Sequence, residues 1–136
     1  MSEENVEVVR RVFEAAGRRD SAAVLALYDL DVEWDMARGA LGGVVDRDVY
    51  HGHEGLRRYF RLRSEAWETI TDECEELIDA GEHVISTATV RGRGRASGAE
   101  VEENQSGIWT IREGKVVRVV WFPTREAALK AAGLSE

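Results

Sequence analysis

The chain has 136 residues, 43% of them hydrophobic and 32% charged, with a formal net charge of −8. That length supports one domain, residues 1–136, able to bury about two thirds of the surface its unfolded chain would expose. The negative charge repels nucleic acid and anionic membranes, no apolar run could span a bilayer, and the acidic start Met1-Ser2-Glu3-Glu4 lacks the basic character of a signal peptide, so a cytoplasmic protein with neither nucleic acid nor membrane as partner is expected.

Taken in chain order, Val6, Val9, Phe13 and Ala16 recur at helical spacing, with Glu3 and Glu4 where the helix dipole favours negative charge. Gly17 or the Arg18-Arg19 pair ends this helix, and Asp20 caps a second one that turns Val24, Leu27 and Tyr28 inward. Residues 32–36 alternate with period two, a short strand with Trp34 on the face opposite Glu33 and Asp35. Residues 37–50, with Gly39, Gly42 and Gly43, read as a loop that serves as a pocket rim or as a plain surface excursion. From 54 to 70, Leu56, Tyr59, Phe60, Arg63, Ala66, Trp67 and Ile70 trace one face of a long helix. Arg63 is the only charge on that face. Its guanidinium either snorkels outward or faces a carboxylate such as Asp35 or Glu102.

Strands follow. Residues 72–78 lead through Asp79-Ala80-Gly81-Glu82 into a strand over 83–95, and a third runs over 99–111. A turn at Ser97-Gly98 sets Arg95 against Glu100, Arg93 against Glu102 and Arg91 against Asn104, a compensated charge ladder rather than an RNA-binding Arg/Gly segment. Gly92, Gly94 and Gly107 lie inside strands, where they permit sharp bending and a concave sheet. Cys74, the single cysteine, has no disulfide partner and no metal-ligand spacing around it, so neither metal nor cofactor is expected and Cys74 reads as a small, partly buried strand residue. Pro123 ends the last strand, Thr124 caps a terminal helix with Ala128 and Leu129 inward, and Gly133-Leu134 closes it.

The densest strand signal is the hairpin over 107–122, turning at Arg112-Glu113-Gly114 through two residues, or three with a bulge. Both of its parities are apolar. Trp109, Ile111, Val117, Val119 and Trp121 form one set; Ile108, Val116, Val120 and Phe122 form the other. One face is therefore expected to meet helices or a pocket and the other a partner surface, a second subunit making a homodimer through the outer sheet face. A three-residue connection would align Trp109 with Val117 and turn Trp109 and Trp121 inward; the alternative parity offers Asn104, Ser106 and Thr110 to the pocket.

Helix, helix, strand, helix and then antiparallel strands is an α+β order. With Leu25-Ala26-Leu27-Tyr28, Asp31-Val32-Glu33-Trp34, Tyr50-His51-Gly52-His53-Glu54-Gly55-Leu56, Trp109-Thr110-Ile111-Arg112-Glu113-Gly114-Lys115 and the tail from Arg125 to Leu134, the chain resembles the SnoaL-like branch of the nuclear transport factor 2-like superfamily, with its polyketide cyclases, ketosteroid isomerases and limonene-epoxide hydrolase. The resemblance implies a cone-shaped α+β barrel of the cystatin-like kind, a strongly curved antiparallel sheet wrapped around N-terminal helices. It also implies acids or a tyrosine in the cone. Here Trp121 stands where the cyclases and the hydrolase carry an aspartate, Trp34 where ketosteroid isomerases carry their base, and Val12 near their tyrosine. A slip of one residue puts Asp35 at the base position.

Proton abstraction beside a carbonyl needs a carboxylate or histidine in a dry pocket and a donor for the oxyanion. Asp35 leads the candidates, ahead of Glu33, Glu102 and His51; His51 and His53 flank Gly52 as turn residues. Four tryptophans suit a flat apolar ligand. The expected pocket lining is Phe13, Tyr28, Trp34, Tyr59, Phe60, Arg63, Trp67, Trp109 and Trp121. The functional expectation is a domain that binds a small apolar or aromatic molecule, with isomerase, cyclase or hydrolase chemistry on a pocket carboxylate, and the alternative is a non-enzymatic dimerisation or partner-binding module.

Overall fold

The computed structural model describes residues 2–36 and 49–134. Helix α1 (Ser2–Gly17) buries Val8, Val9, Val12 and Ala15 along one stripe and carries Glu3 and Glu4 in its first turn. Arg19 turns the chain back with φ 58°, and Asp20 Oδ1 accepts from the Ala23 amide at 3.0 Å, capping α2 (Ser21–Ala26). There follow β1 (Tyr28–Asp35), β2 (Val49–His51), α3 (Gly52–Ala66), β3 (Trp67–Ala80), β4 (His83–Gly94), β5 (Glu100–Arg112), β6 (Lys115–Phe122) and α4 (Arg125–Ala131).

The six strands form one sheet in the order β2-β1-β6-β5-β4-β3. It curves without closing, so β2 and β3 are its edges. Every neighbouring pair is antiparallel except β1 and β6, which run parallel with Trp34 opposite Val119. The sequence suggested an antiparallel sheet throughout; a parallel pair needs a long crossover, which the chain from β2 to β5 supplies.

Three boundaries differ from the periodicity reading. Helical spacing continues through Ile70, yet α3 stops at Ala66 and Trp67 has φ −119° and ψ 129°. The Trp67 ring lies against β4, with Cε3 3.0 Å from where a Cβ on Gly92 would stand, and tertiary packing of this kind overrides a local helical period. Tyr28 leaves the second helix to open β1 opposite Val116. Val49 and Tyr50, at the end of the expected loop, pair with β1; the rest of that loop, 37–48, lies outside the described residues.

The β5–β6 connection is the two-residue turn. Arg112 pairs with Lys115, and Glu113 and Gly114 between them take φ 52° and 76°, the double left-handed geometry whose twist suits a hairpin. A register shift between Thr110 and Ile111 then sets Trp109 opposite Val119 rather than Val117. Both tryptophans face inward all the same. The arginine ladder is also displaced by two residues: Arg93 pairs with Glu100 and Arg91 with Glu102, and both make ion pairs, at 2.6 and 3.0 Å. Arg95 instead donates to the carbonyls of Ser64 and Trp67.

Helices α1 to α3 pack on the concave face, where Val9, Val32, Leu56, Val84, Trp109 and Val119 make the main core. The other face carries Ile85, Val120 and Phe122, packed with Ala128 and Leu129. Thus α4, capped by Thr124 Oγ1 on the Ala127 amide at 3.0 Å, packs over Val120, Phe122 and the partly buried Ile108 of the second apolar parity from which the sequence suggested a subunit contact, while Val116 of that set joins the main core. Much of the remaining outer face is charged, with Arg91 also bonded to Glu73. Gly107 serves close packing. A Cβ there would stand 2.8 Å from Trp121 Cζ3 and 3.0 Å from Trp109 Nε1.

Candidate ligand cavity

Between the α1–α2 turn, the inner face of α3 and the concave sheet lies a cavity of about 390 Å³. Eight of the nine residues expected to line it do so: Phe13, Tyr28, Trp34, Tyr59, Phe60, Arg63, Trp109 and Trp121. Trp67 does not, because it belongs to β3 and packs over Gly92. Three indoles build the deep wall, with ring centroids 5.3 Å apart for Trp34 and Trp121, 5.6 Å for Trp109 and Trp121, and 6.3 Å for Trp34 and Trp109. Tyr59 stands 5.5 Å from Trp34. Such tilted and edge-on contacts hold rigid rings in place, and Trp109 Nε1 is fixed further by donating to Ser86 Oγ at 2.9 Å.

Polar groups enter from α3 and β3. Arg63 donates to Asp72 Oδ2 at 2.6 Å, with only 21% and 24% of the two side chains exposed, and its guanidinium lies close to the Tyr59 hydroxyl. Burial raises the Tyr59 pKa above its usual value even though Arg63 opposes the shift. Tyr28 is raised well above its usual value, first by burial and then by the nearby Tyr59 and Asp72 charges. Both phenols are therefore neutral donors at physiological pH. The Tyr28 hydroxyl, Trp34 Nε1, Trp121 Nε1 and Gln105 Nε2 are buried with no hydrogen-bond partner among the described residues.

The tyrosine shifts predict an alkaline limit. A phenol whose folded pKa lies above its unfolded value, about 10, contributes stability that is intact below pH 10 and is lost as pH rises through the folded value. Urea melts across this range are expected to show stability falling above about pH 10, and falling less steeply in Tyr28→Phe; a flat profile in the native protein would refute it.

The model of the SnoaL-like domain matches residues 9–119. The chain belongs to the SnoaL-like domain family. Among solved structures, this SnoaL-like chain is similar to an NTF2-like protein from Burkholderia thailandensis, at 27% identity and TM-score 0.77 over 96% of this chain and 97% of that one. An NTF2-like protein of unknown function from Burkholderia pseudomallei gives 24% identity and TM-score 0.75 over 93% and 95%. TerC, co-crystallized with polyporic acid, gives 21% identity and TM-score 0.74 over 96% and 98%. No curated protein matches.

In this SnoaL-like domain the acids favoured from the sequence lie elsewhere. Trp34 pairs with the inward Val119, so alternation turns Asp35, opposite Val120, to the other sheet face, and Asp35 does not line the cavity. Glu33 accepts from Arg118 at 3.3 Å and Glu102 from Arg91 at 3.0 Å. His51 is exposed at the N-cap of α3, while His53 Nε2 lies 2.8 Å from the Tyr28 carbonyl oxygen. Among the described residues no group of three His, Cys, Asp or Glu could hold a metal. Arg63 faces a carboxylate, but its partner is Asp72, neither Asp35 nor Glu102. Asp72 and Gln105 are among the lining residues the sequence reading passed over. Inward alternation of Ile70 and Asp72 on β3 is the signal for Asp72, visible once Trp67 is assigned to the strand.

Proposed function

We propose that this SnoaL-like domain binds a small, largely apolar or aromatic molecule in the tryptophan-walled cavity, and that its isomerase, cyclase or hydrolase chemistry runs on Asp72. The observation that carries this reading is the Arg63–Asp72 pair in the wall of an otherwise aromatic cavity. Among the described residues three carboxylates line that space, and Asp20 and Glu68 are exposed whereas Asp72 is three-quarters covered. A carboxylate held by a guanidinium among rings is positioned to accept a proton or bond a hydroxyl, and neutral Tyr28 and Tyr59 supply donors for a developing oxyanion.

Native mass spectrometry of freshly purified protein, followed by thermal-shift screening of small aromatic compounds, would give a ligand set. Asp72→Asn is expected to weaken binding by about tenfold, the scale of one charge-assisted hydrogen bond, and to abolish turnover; Asp35→Asn should leave both unchanged. Loss of turnover in Asp35→Asn with retention in Asp72→Asn would return the carboxylate role to Asp35.

A further inference from the structure

Resting on the reading of Asp72 as the working carboxylate, we infer that Arg95 is a positioning residue of the site: from the tip of the β4–β5 hairpin it caps the last turn of α3, fixes the angle at which β3 leaves that helix, and so holds Arg63 against Asp72 in the cavity wall. A helix leaves its last four carbonyls without intrahelical partners, and a common remedy is a left-handed glycine just beyond the end. The sequence after α3 reads Trp67-Glu68-Thr69, with no glycine. The Trp67 amide, already in extended backbone, satisfies the Arg63 carbonyl. Arg95 takes two of the other three. Its amide donates to the Ala66 carbonyl at 3.0 Å, and its Nη2 donates to the Ser64 carbonyl at 3.1 Å and to that of Trp67 at 3.2 Å. The guanidinium also puts positive charge at the end of the helix that favours it.

Strand pairing is interrupted at this point. Trp67 pairs with Gly94 and Thr69 with Arg93, through a register shift that skips Glu68. Arg95 therefore clamps the junction where the ladder is irregular, and the turn that carries it is itself closed: the Gly94 amide donates to the Ala99 carbonyl and the Gly98 amide to the Gly94 carbonyl, both at 2.9 Å. Cavity-lining residues stand on both sides of the clamp, Phe60, Arg63 and Ser64 on α3 and Glu68, Ile70 and Asp72 on β3.

The lever is long. Asp72 lies five residues beyond Trp67, about 16 Å of strand, so a change of about 10° at the junction moves it by about 3 Å relative to α3. That matches the whole 2.6 Å contact with Arg63. Arg93, two residues earlier and exposed like Arg95, is spent differently, since its guanidinium pairs with Glu100 at 2.6 Å.

The test compares the native full chain with Arg95→Met, Arg95→Lys and, as the control, Arg93→Met. Amide hydrogen exchange followed by NMR reads the clamp without any ligand. The Trp67 amide is expected to exchange about tenfold faster in Arg95→Met, the scale of one or two lost hydrogen bonds, while the amides of β6 hold and Arg93→Met matches the native protein. A general loss of stability would speed all of them. Titration with 2-naphthol and with naphthalene, read by quenching of tryptophan fluorescence, reports on the carboxylate. The native protein is expected to bind 2-naphthol about tenfold tighter, because Asp72 accepts from its hydroxyl. Arg95→Met should lose that preference while holding naphthalene as before, and Arg95→Lys, which keeps a cationic donor at the helix end, should recover part of it. An unchanged Trp67 amide in Arg95→Met, a retained preference for 2-naphthol, or an equal loss of both probes would overturn the role of Arg95 and leave Asp72 in place. A native protein that binds neither probe, or shows no preference between them, would overturn the Asp72 reading, and with it the site that Arg95 positions, even where the Trp67 amide responds.

Discussion

Replacing Trp109 with alanine is expected to lower stability by about 3–5 kcal/mol, the range for deleting a fully buried large aromatic ring. Trp109 is 1% exposed and meets Phe13 at 5.8 Å, Trp34 at 6.3 Å, Tyr28 at 6.4 Å and Trp121 at 5.6 Å between ring centroids. Two losses combine. The ring leaves a void that the strand-bound neighbours fill only in part, and Ser86, itself 0% exposed, loses the indole that donates to it. Domains of this size are stable by only about 5–15 kcal/mol, so the variant would approach the unfolding threshold at 37 °C. Urea melts read the effect as a fall in midpoint at constant slope. Trp109→Phe separates the two terms, since it keeps most of the ring contact while removing the bond to Ser86. A loss under about 1 kcal/mol for the alanine variant would mean that the aromatic wall collapses onto the gap, and that the cavity is not a rigid mould.

Local chemistry made some of this architecture legible and left some of it hidden. The hairpin announced itself through β-branched arms around Glu113-Gly114, while the common inward setting of Trp109 and Trp121 rests on the register shift between Thr110 and Ile111, which restores their shared parity across the two-residue turn. The caps at Asp20 and Thr124 were equally local, each a side-chain oxygen three residues ahead of the amide it accepts from. What stayed hidden depended on distant partners. Trp67 carries helical spacing, but the room for its ring is provided by Gly92 on another strand. Placing Trp67 and Ile70 in the helix left Asp72 as the first residue of its strand, without the inward Ile70 that marks the face of this carboxylate nine residues from Arg63. The ladder register failed for a related reason: the Gly94 amide bonds the Ala99 carbonyl at 2.9 Å, so residues 95–98 form a longer turn than Ser97-Gly98 alone implies. Parallel pairing of β1 with β6 joins segments more than 80 residues apart, as in Trp34 with Val119, and no local pattern encodes it. Asp35 was attractive because it neighbours a buried tryptophan, yet in a strand the neighbour of an inward residue points outward.

Arg63→Met should be the more informative of the two variants with large effects. Methionine retains most of the aliphatic stem that packs along α3 but removes the guanidinium, leaving the Asp72 carboxylate three-quarters covered and without its partner. Breaking a fully buried pair in this way costs about 3–5 kcal/mol; with 21% and 24% of the two side chains exposed, water recovers part of that, and a loss of about 2 kcal/mol is expected. The double variant Arg63→Met/Asp72→Leu removes both charges and should regain most of the loss, because the pair contributes little over a well-packed apolar replacement. Stability and function then part company. If the pair exists to position a carboxylate for a ligand, the double variant will fold nearly as well as the native protein and bind neutral hydrocarbons at least as well, while losing the turnover proposed for Asp72. Melts and ligand titrations on the single and double variants together decide the matter: a double variant as unstable as the single would make the pair a structural anchor of the α3–β3 junction, and one that keeps full turnover would take the chemistry away from Asp72.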